Sequence, residues 1–401
     1  MLNKNEILLD KFYKIFTEYF GDEMASAFID GLKSKSVLQD KMSVDDPEFS
    51  RQMVEVRIII DSTVTYAQSI LVSDIYVRFI LDITTILSES CCINLAEEIL
   101  INTISDVRSD KTYALLLMLL ADISIRKSFW DNSINLLNQA VEILTELDDI
   151  LNLAKCENLF GTLYGEKGEI QTAKNHFLKG TEYLKDNIDE NLAANLENNL
   201  AILENITGNL ELAKEHYHIA LKKFEAINQM KKIAEIRHNL GMLNFADNQF
   251  EKAIEEFDKA INIAIQHDYK TVLAISYLGK ANTYLCINNS NETSAYCYKA
   301  MDAAIKVDDK LTIADIYRII GILEKEMNHY DTAESYFHVS LRLNKELGNK
   351  LNYAESAFEL GNLYKQINNS KDKSEWLNRA LSYYTEINAE GKILEINELL
   401  K

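Results

Sequence analysis

Residues 234–273 read AEIRHNLGMLNFADNQFEKAIEEFDKAINIAIQHDYKTVL, and the same spacing of small and apolar residues recurs on both sides of this stretch. Alanine stands at 114, 154, 194, 234, 274, 314 and 354, at a constant step of 40. Seven residues after each comes another small residue: Ala121, Gly161, Ala201, Gly241, Ala281, Gly321 and Gly361. Nineteen further on stand Ala140, Gly180, Ala220, Ala260, Ala300, Ser340 and Ala380. Three residues before these comes a bulkier position: Leu137, Phe177, Tyr217, Phe257, Cys297, Phe337 and Leu377. A fixed period of this length marks stacked supersecondary units, each burying its apolar face on its neighbours. It predicts an all-α solenoid.

Take the repeating alanine as position 1. Positions 7 and 10 are apolar in every copy but one, where Lys280 and Thr283 intrude. With small residues at 1 and 8, this is an amphipathic helix A that another helix can approach closely. Position 15 is Ser128, Gly168, Gly208, Asn248, Asn288, Asn328 and Asn368. Gly and Asn tolerate the left-handed backbone, so this is a helix C-terminal turn. Helix B follows, with positions 20, 24, 27 and 28 inward. Position 35 is Asp148, Ile188, Asn228, Asp268, Asp308, Gly348 and Asn388, a turn residue in all copies but Ile188.

Two antiparallel helices per unit, small at 8, 20 and 27 and aromatic at 24, resemble the tetratricopeptide repeat (TPR). Leu240-Gly241 with Ala253, Phe257 and Ala260, and Ile320-Gly321 with Ala333 and Phe337, carry most of that pattern. The family's tryptophan at position 4 and the proline that ends helix B are absent. The resemblance implies a right-handed superhelix of helix hairpins, with seven repeats over 114–387. A lone helix over 388–401, carrying Ile393, Ile396, Leu399 and Leu400, is expected to cap the open end.

Upstream, residues 1–72 are read as an N-terminal helical domain and 73–113 as a degenerate hairpin. Leu8, Phe12, Ile15, Phe16 and Tyr19 make one helical stripe, ended by Gly21. Met24, Ala27, Phe28 and Leu32 make a second. Lys33 to Asp46 is polar and broken and reads as a loop. Asp46-Pro47-Glu48 opens a third helix, with Phe49, Met53, Val56, Ile60, Val64 and Ala67 on one face. Helices near 74–88 and 93–106 complete the region. A helix-turn-helix is the sharper reading of the first two helices; a packing bundle is the plainer one. The absence of an Arg/Lys-rich recognition helix favours the bundle.

The chain has 401 residues and a net charge of −20. That surface repels nucleic acid and anionic lipid, so neither is an expected partner, and a basic or neutral protein or peptide is. The cysteines, Cys91, Cys92, Cys156, Cys286 and Cys297, form no CxxC pair and read as small apolar residues of a reducing compartment. No apolar run approaches ~18 residues. The expected location is the cytoplasm, and the Asn, Ile and Lys richness suggests a bacterial genome. The seven histidines have no metal-ligand spacing, and there is no phosphate-cradling glycine loop or Gly-x-Ser-x-Gly. No enzyme activity, metal or cofactor is expected.

In the TPR family, helix A lines the groove through positions 2, 5, 9 and 12. Carried onto this chain, these positions hold Asn158 and Thr162, then Asn195, Asn198 and Asn205. Glu235 and His238 come next, then Asn282. Asp315, Arg318 and Lys325 follow, and last Glu355, Asn362 and Lys365. The candidate peptide-binding set is Asn158, Thr162, Asn195, Asn198, Asn205, His238, Asn282 and Arg318. Asparagine both donates and accepts, so a row of them can grip an extended backbone whatever its side chains. The same residues on a solvated face need have no role.

The first functional reading is a non-enzymatic scaffold that holds a peptide or helix in its groove. The alternative rests on a resemblance in layout, since helices before seven 40-residue repeats resemble the Rap-type peptide-pheromone receptors. There a peptide compacts the superhelix and releases a response regulator from the N-terminal bundle. Some members use a bundle glutamine to speed dephosphorylation; Gln52 and Gln68 are available here, and neither aligns to that role. A third class is a stacking coat or stalk.

Overall fold

The computed structural model describes residues 4–34, 48–89, 92–104, 111–185, 189–386 and 389–401. Among them are twenty helices and no strand. The chain forms two compact units, Met1–Asp189 and Glu190–Lys401.

The first unit opens with α1 Lys4–Phe20, α2 Asp22–Ser34, α3 Glu48–Ile70, α4 Ser73–Glu89 and α5 Ile93–Ile104. Leu8, Phe12, Ile15 and Phe16 are buried, as the first stripe requires, and Gly21 ends α1 at φ +80°. Phe16 sits among Phe20, Phe28, Tyr66 and Phe79, ring centroids 4.5 to 6.4 Å away. The second stripe is corrected in part. Phe28 packs inward as expected, but Met24 and Ala27 are exposed and Ala25 is buried in their place; the Leu32 side chain lies outside the described residues. A short helix buries only the narrow seam its neighbours reach. Asp46, Pro47 and most of the expected loop lie outside the described residues, as do residues 105 and 106 of the fifth helix and the side chains of Phe49 and Met53. The unit continues with α6 Lys111–Arg126, α7 Trp130–Glu146, α8 Ile150–Glu166 and α9 Ile170–Tyr183. Its buried apolar residues form one cluster running from α1 into α8.

The second unit repeats that hairpin. It holds α10 Glu190–Ile206, α11 Leu210–Ala226, α12 Met230–Ala246, α13 Phe250–Gln266, α14 Lys270–Cys286 and α15 Ser290–Val307. It ends with α16 Lys310–Glu326, α17 Tyr330–Glu346, α18 Lys350–Gln366, α19 Ser370–Glu386 and α20 Glu390–Leu400. All seven position-1 alanines are fully buried. Ile396 of α20 is buried too, and the Lys373 ammonium donates to the Leu399 carbonyl at 2.9 Å, so the last helix covers the end of its unit.

The turns follow the repeat. All seven position-15 residues have positive φ, including Gly208 at +81° and Asn248 at +57°. At position 35, Asp148, Asn228, Asp268, Asp308 and Gly348 do as well; Ile188 and Asn388 lie outside the described residues. Each left-handed residue lets the next amide return to the helix end, as when Gln249 N–H donates to Asn244 at 2.8 Å. Gly208→Val should therefore cost about 1–2 kcal/mol through backbone strain alone, since no atom lies within 4 Å of a β-carbon there. Equal urea midpoints for the variant and the parent would refute this.

Position 4, where the TPR family keeps its tryptophan, pairs with position 23 across five successive hairpins. Glu157 meets His176 at 2.6 Å, Glu197 meets His216 at 2.7 Å, and Arg237 meets Glu256 at 3.1 Å. Tyr277–Tyr296 and Tyr317–Tyr336 continue the series as ring contacts at 5.9 and 5.8 Å. Glu157 is only 3% exposed. Burial pushes its pKa up, but hydrogen bonds from His176 and Lys179 outweigh that and hold it below the usual carboxylate range.

The Lys280 exception is resolved in the same way. Its stem is buried in the apolar seat, and its ammonium turns out to Asp258 and over the Tyr296 ring at 4.6 Å. Thr283 donates to the Gly279 carbonyl at 2.8 Å.

Candidate functional site

Helix A of three successive repeats, α12, α14 and α16, turns the same face toward one cavity of about 260 Å³ in the second unit. Residues three or four apart on one helix share a face, and the 40-residue period repeats that face from hairpin to hairpin. His238 and Met242 come from α12, Ile275, Leu278 and Asn282 from α14, and Leu311, Thr312, Asp315, Arg318 and Ile319 from α16. The lining mixes apolar side chains, Met242, Ile275, Leu278, Leu311 and Ile319, with a few polar ones.

The cavity brings together His238, Asn282 and Arg318 of the candidate set. Asn195, Asn198 and Asn205 stand on α10 of the same unit, outside its lining. Asn158 and Thr162 belong to α8 of the first unit. Two members are already engaged with their own helix. The Thr162 hydroxyl donates to the Asn158 carbonyl at 3.0 Å, and the Asn195 amide donates to the Asn191 carbonyl at 2.9 Å. The half-buried amides of Asn198 and Asn282 have no partner among the described residues.

Arg318 is the most constrained polar group in the cavity. It donates to Glu355 at 3.0 Å and Asp315 at 3.5 Å, while its buried Nε has no acceptor among the described residues. Asn352 donates to both Asp315 oxygens at 2.9 and 3.0 Å. Burial nevertheless pushes the Asp315 carboxyl up, against the pull of Arg318. Two carboxylates thus face one guanidinium, both through its Nη2, which leaves the Nε–H among the donors open to a ligand's acceptor. His238 lies 5.6 Å from the Phe257 ring centroid, with its Nδ1 3.3 Å from Ser276 Oγ. Burial pushes its pKa down to about 4, so at neutral pH it offers a neutral imidazole.

The apolar part of the lining cannot be found from polarity, since positions 2, 5 and 9 carry apolar residues as well as polar ones. Met242, Ile275 and Leu278 occupy those same positions. Gln68 is exposed on α3 and lines a separate cavity with Asp61, Tyr76 and Glu98; the Gln52 side chain lies outside the described residues. Among the described residues, no group of three or more His, Cys, Asp or Glu is placed to hold a metal ion, and no helix is long and apolar enough to cross a membrane. Cys156 and Cys297 are buried, with thiols pushed up to about 12 by desolvation, as small apolar residues would be. Cys286 is exposed, which corrects that reading for it, and Cys91 lies outside the described residues.

Residues 192–266 match the family model of the tetratricopeptide repeat. The Tonsoku-like protein of Drosophila melanogaster is 22% identical over 194 residues, 43% of this chain and 14% of that protein. The regulatory protein RapK of Bacillus subtilis (strain 168) is 23% identical over 252 residues, 61% of this chain and 66% of RapK. The chain thus spans a small part of the first relative and just under two thirds of the second. The solved Rap conjugation gene regulator of the plasmid pLS20, in complex with the Phr* peptide, matches with a TM-score of 0.58 at 17% identity. That match covers 97% of this chain and 98% of the regulator. The chain therefore matches the tetratricopeptide repeat over residues 192–266, resembles a Rap regulator in sequence and shares the fold of a Rap structure.

Proposed function

We propose that this chain is a cytoplasmic peptide-regulated receptor of the bacterial Rap kind. A short extended peptide occupies the helix-A face of the second unit, and its binding changes how the N-terminal helices engage a protein effector. The observation that carries this reading is the cavity built by three successive repeats, with apolar side chains in its lining and unsatisfied polar groups at Arg318 Nε and Asn282. An extended backbone satisfies such groups and places alternate side chains on the apolar lining. With Glu355 and Asp315 facing Arg318, a neutral or basic peptide suits the lining better than an acidic one. Likeness over nearly the whole chain to a peptide-bound Rap structure, N-terminal helices included, favours a receptor over a static scaffold.

A library of short peptides screened against the full chain supplies the ligand. Arg318→Gln, Asn282→Ala and Asn198→Ala should each weaken its binding by about 0.5–1.5 kcal/mol, more where a ligand group is left unpaired, with little change in Tm. Lost stability with unchanged affinity would make these residues structural. A radius of gyration that shifts on peptide addition supports the receptor. An unchanged shape, with one large partner retained from lysate, would return the scaffold reading.

A further inference from the structure

We propose a second binding site, beyond the receptor reading, near the C-terminal end of the second unit. Its ligand is a small phosphate monoester carried on an apolar or aromatic body. The site is a hollow of about 350 Å³ between the end of α17, the start of α18 and one face of α19.

Its charge runs against that of the chain. Lys345, Lys350 and Arg379 line it, with Glu386 the one carboxylate. Lys345 ends α17, where a cation is favoured, and has no ion-pair partner among the described residues. Lys350 reaches Glu386 at 3.0 Å, but these side chains are 67% and 59% exposed, so solvent screens the pair and an incoming anion can replace it. Arg379 holds Glu375 at 2.6 Å and lies over the Trp376 ring at 4.3 Å, with further N–H donors to spare.

The rest of the lining selects more than charge. The rings of Tyr353 and Tyr383 stand among the cations and would be idle against a bare anion. Asn344 is the buried member. Its amide donates to Ser340 Oγ at 3.3 Å, and its Oδ1 has no hydrogen-bond partner among the described residues. A buried carbonyl without a donor is uncommon in folded chains, and here it offers an acceptor to a ligand N–H or O–H. Three cations suit a phosphate, with its near-double charge and three acceptor oxygens, better than a carboxylate.

Calorimetric titration of the full chain with phenyl phosphate, inorganic phosphate and benzoate tests the site. Phenyl phosphate should bind at least about tenfold more tightly than either of the others, and Lys345→Glu should weaken it about tenfold or more. Tyr383→Ala should abolish the preference over inorganic phosphate. Circular dichroism confirms that both variants fold. Vesicles containing phosphatidic acid identify the source. Co-sedimentation lost in Lys345→Glu assigns the phosphate to a lipid headgroup, and binding of phenyl phosphate without sedimentation assigns it to a soluble ester. No binding by the parent, equal affinity for inorganic and phenyl phosphate, or no effect of Lys345→Glu would overturn the site.

Discussion

Phe257→Ala is expected to cost about 3–5 kcal/mol of unfolding free energy, the upper range for a buried aromatic. The ring is fully buried and held from two sides. A β-carbon on Gly241, in the same hairpin, would stand 2.6 Å from it, and one on Gly279, in the next helix A, would also stand 2.6 Å away. The ring thus lies against the backbone of two helices and joins one repeat to the next. Removing it leaves a void that two helix backbones cannot close without shifting the stack.

The same contact explains a pattern across repeats. Phe177, Phe257 and Phe337 each face a glycine at position 8, as Leu377 faces Gly361, whereas the repeats with Leu137, Tyr217 and Cys297 carry Ala121, Ala201 and Ala281 there. Gly241→Ala should therefore cost about 1–3 kcal/mol by overpacking, and less in a Phe257→Leu background. A double-mutant cycle by urea denaturation reads the coupling, expected at about 0.5 kcal/mol or more. An additive cycle would mean that ring and glycine do not compete for one space.

Acidification is expected to weaken the second unit through His238. Its pKa is about 4 in the folded chain, against 6.5 for an unperturbed histidine. Between these values the unfolded chain binds more protons, so stability falls as pH drops from about 6.5 to 4 and is flat above that window for this group. The full shift corresponds to roughly 3 kcal/mol, and residual exposure of the ring reduces the expected loss to about 1–3 kcal/mol. Glu157, in the first unit, acts lower. Its pKa lies below the ordinary 4.5, so its contribution is present above that value and is lost as pH falls further. Urea midpoints from pH 7.5 to 4.5 for the parent and His238→Gln separate the two groups. Parallel curves would show that His238 is not held neutral.

The hairpin architecture could be read directly from the chain. Ala234, Gly241, Phe257 and Ala260 record which positions must be small or large where helices touch, and a one-dimensional stack imposes those demands every 40 residues. Gly208 and Asn248 record where the backbone turns left-handed, a local demand that local residue types answer. Ile396 marked the capping helix because an isolated amphipathic stripe needs a surface to cover. In the α2 stripe, periodicity named Met24 where the fold buries Ala25, because thirteen residues fix a helix but not which seam its neighbours reach.

The tertiary structure alone decided partnership. Glu157 and His176 are 19 residues apart, and only hairpin closure brings them to 2.6 Å in the place of the absent tryptophan. The Thr162 hydroxyl and Asn195 amide, polar and correctly spaced, bond to their own helices, whereas Arg318 Nε is left without an acceptor. Lys345 and Arg379 meet around one hollow because α17 and α19 flank α18. Periodicity and backbone preference act within a few residues and are written in sequence. Which side chain meets which, and which is left unpaired, depends on the approach of segments far apart along the chain.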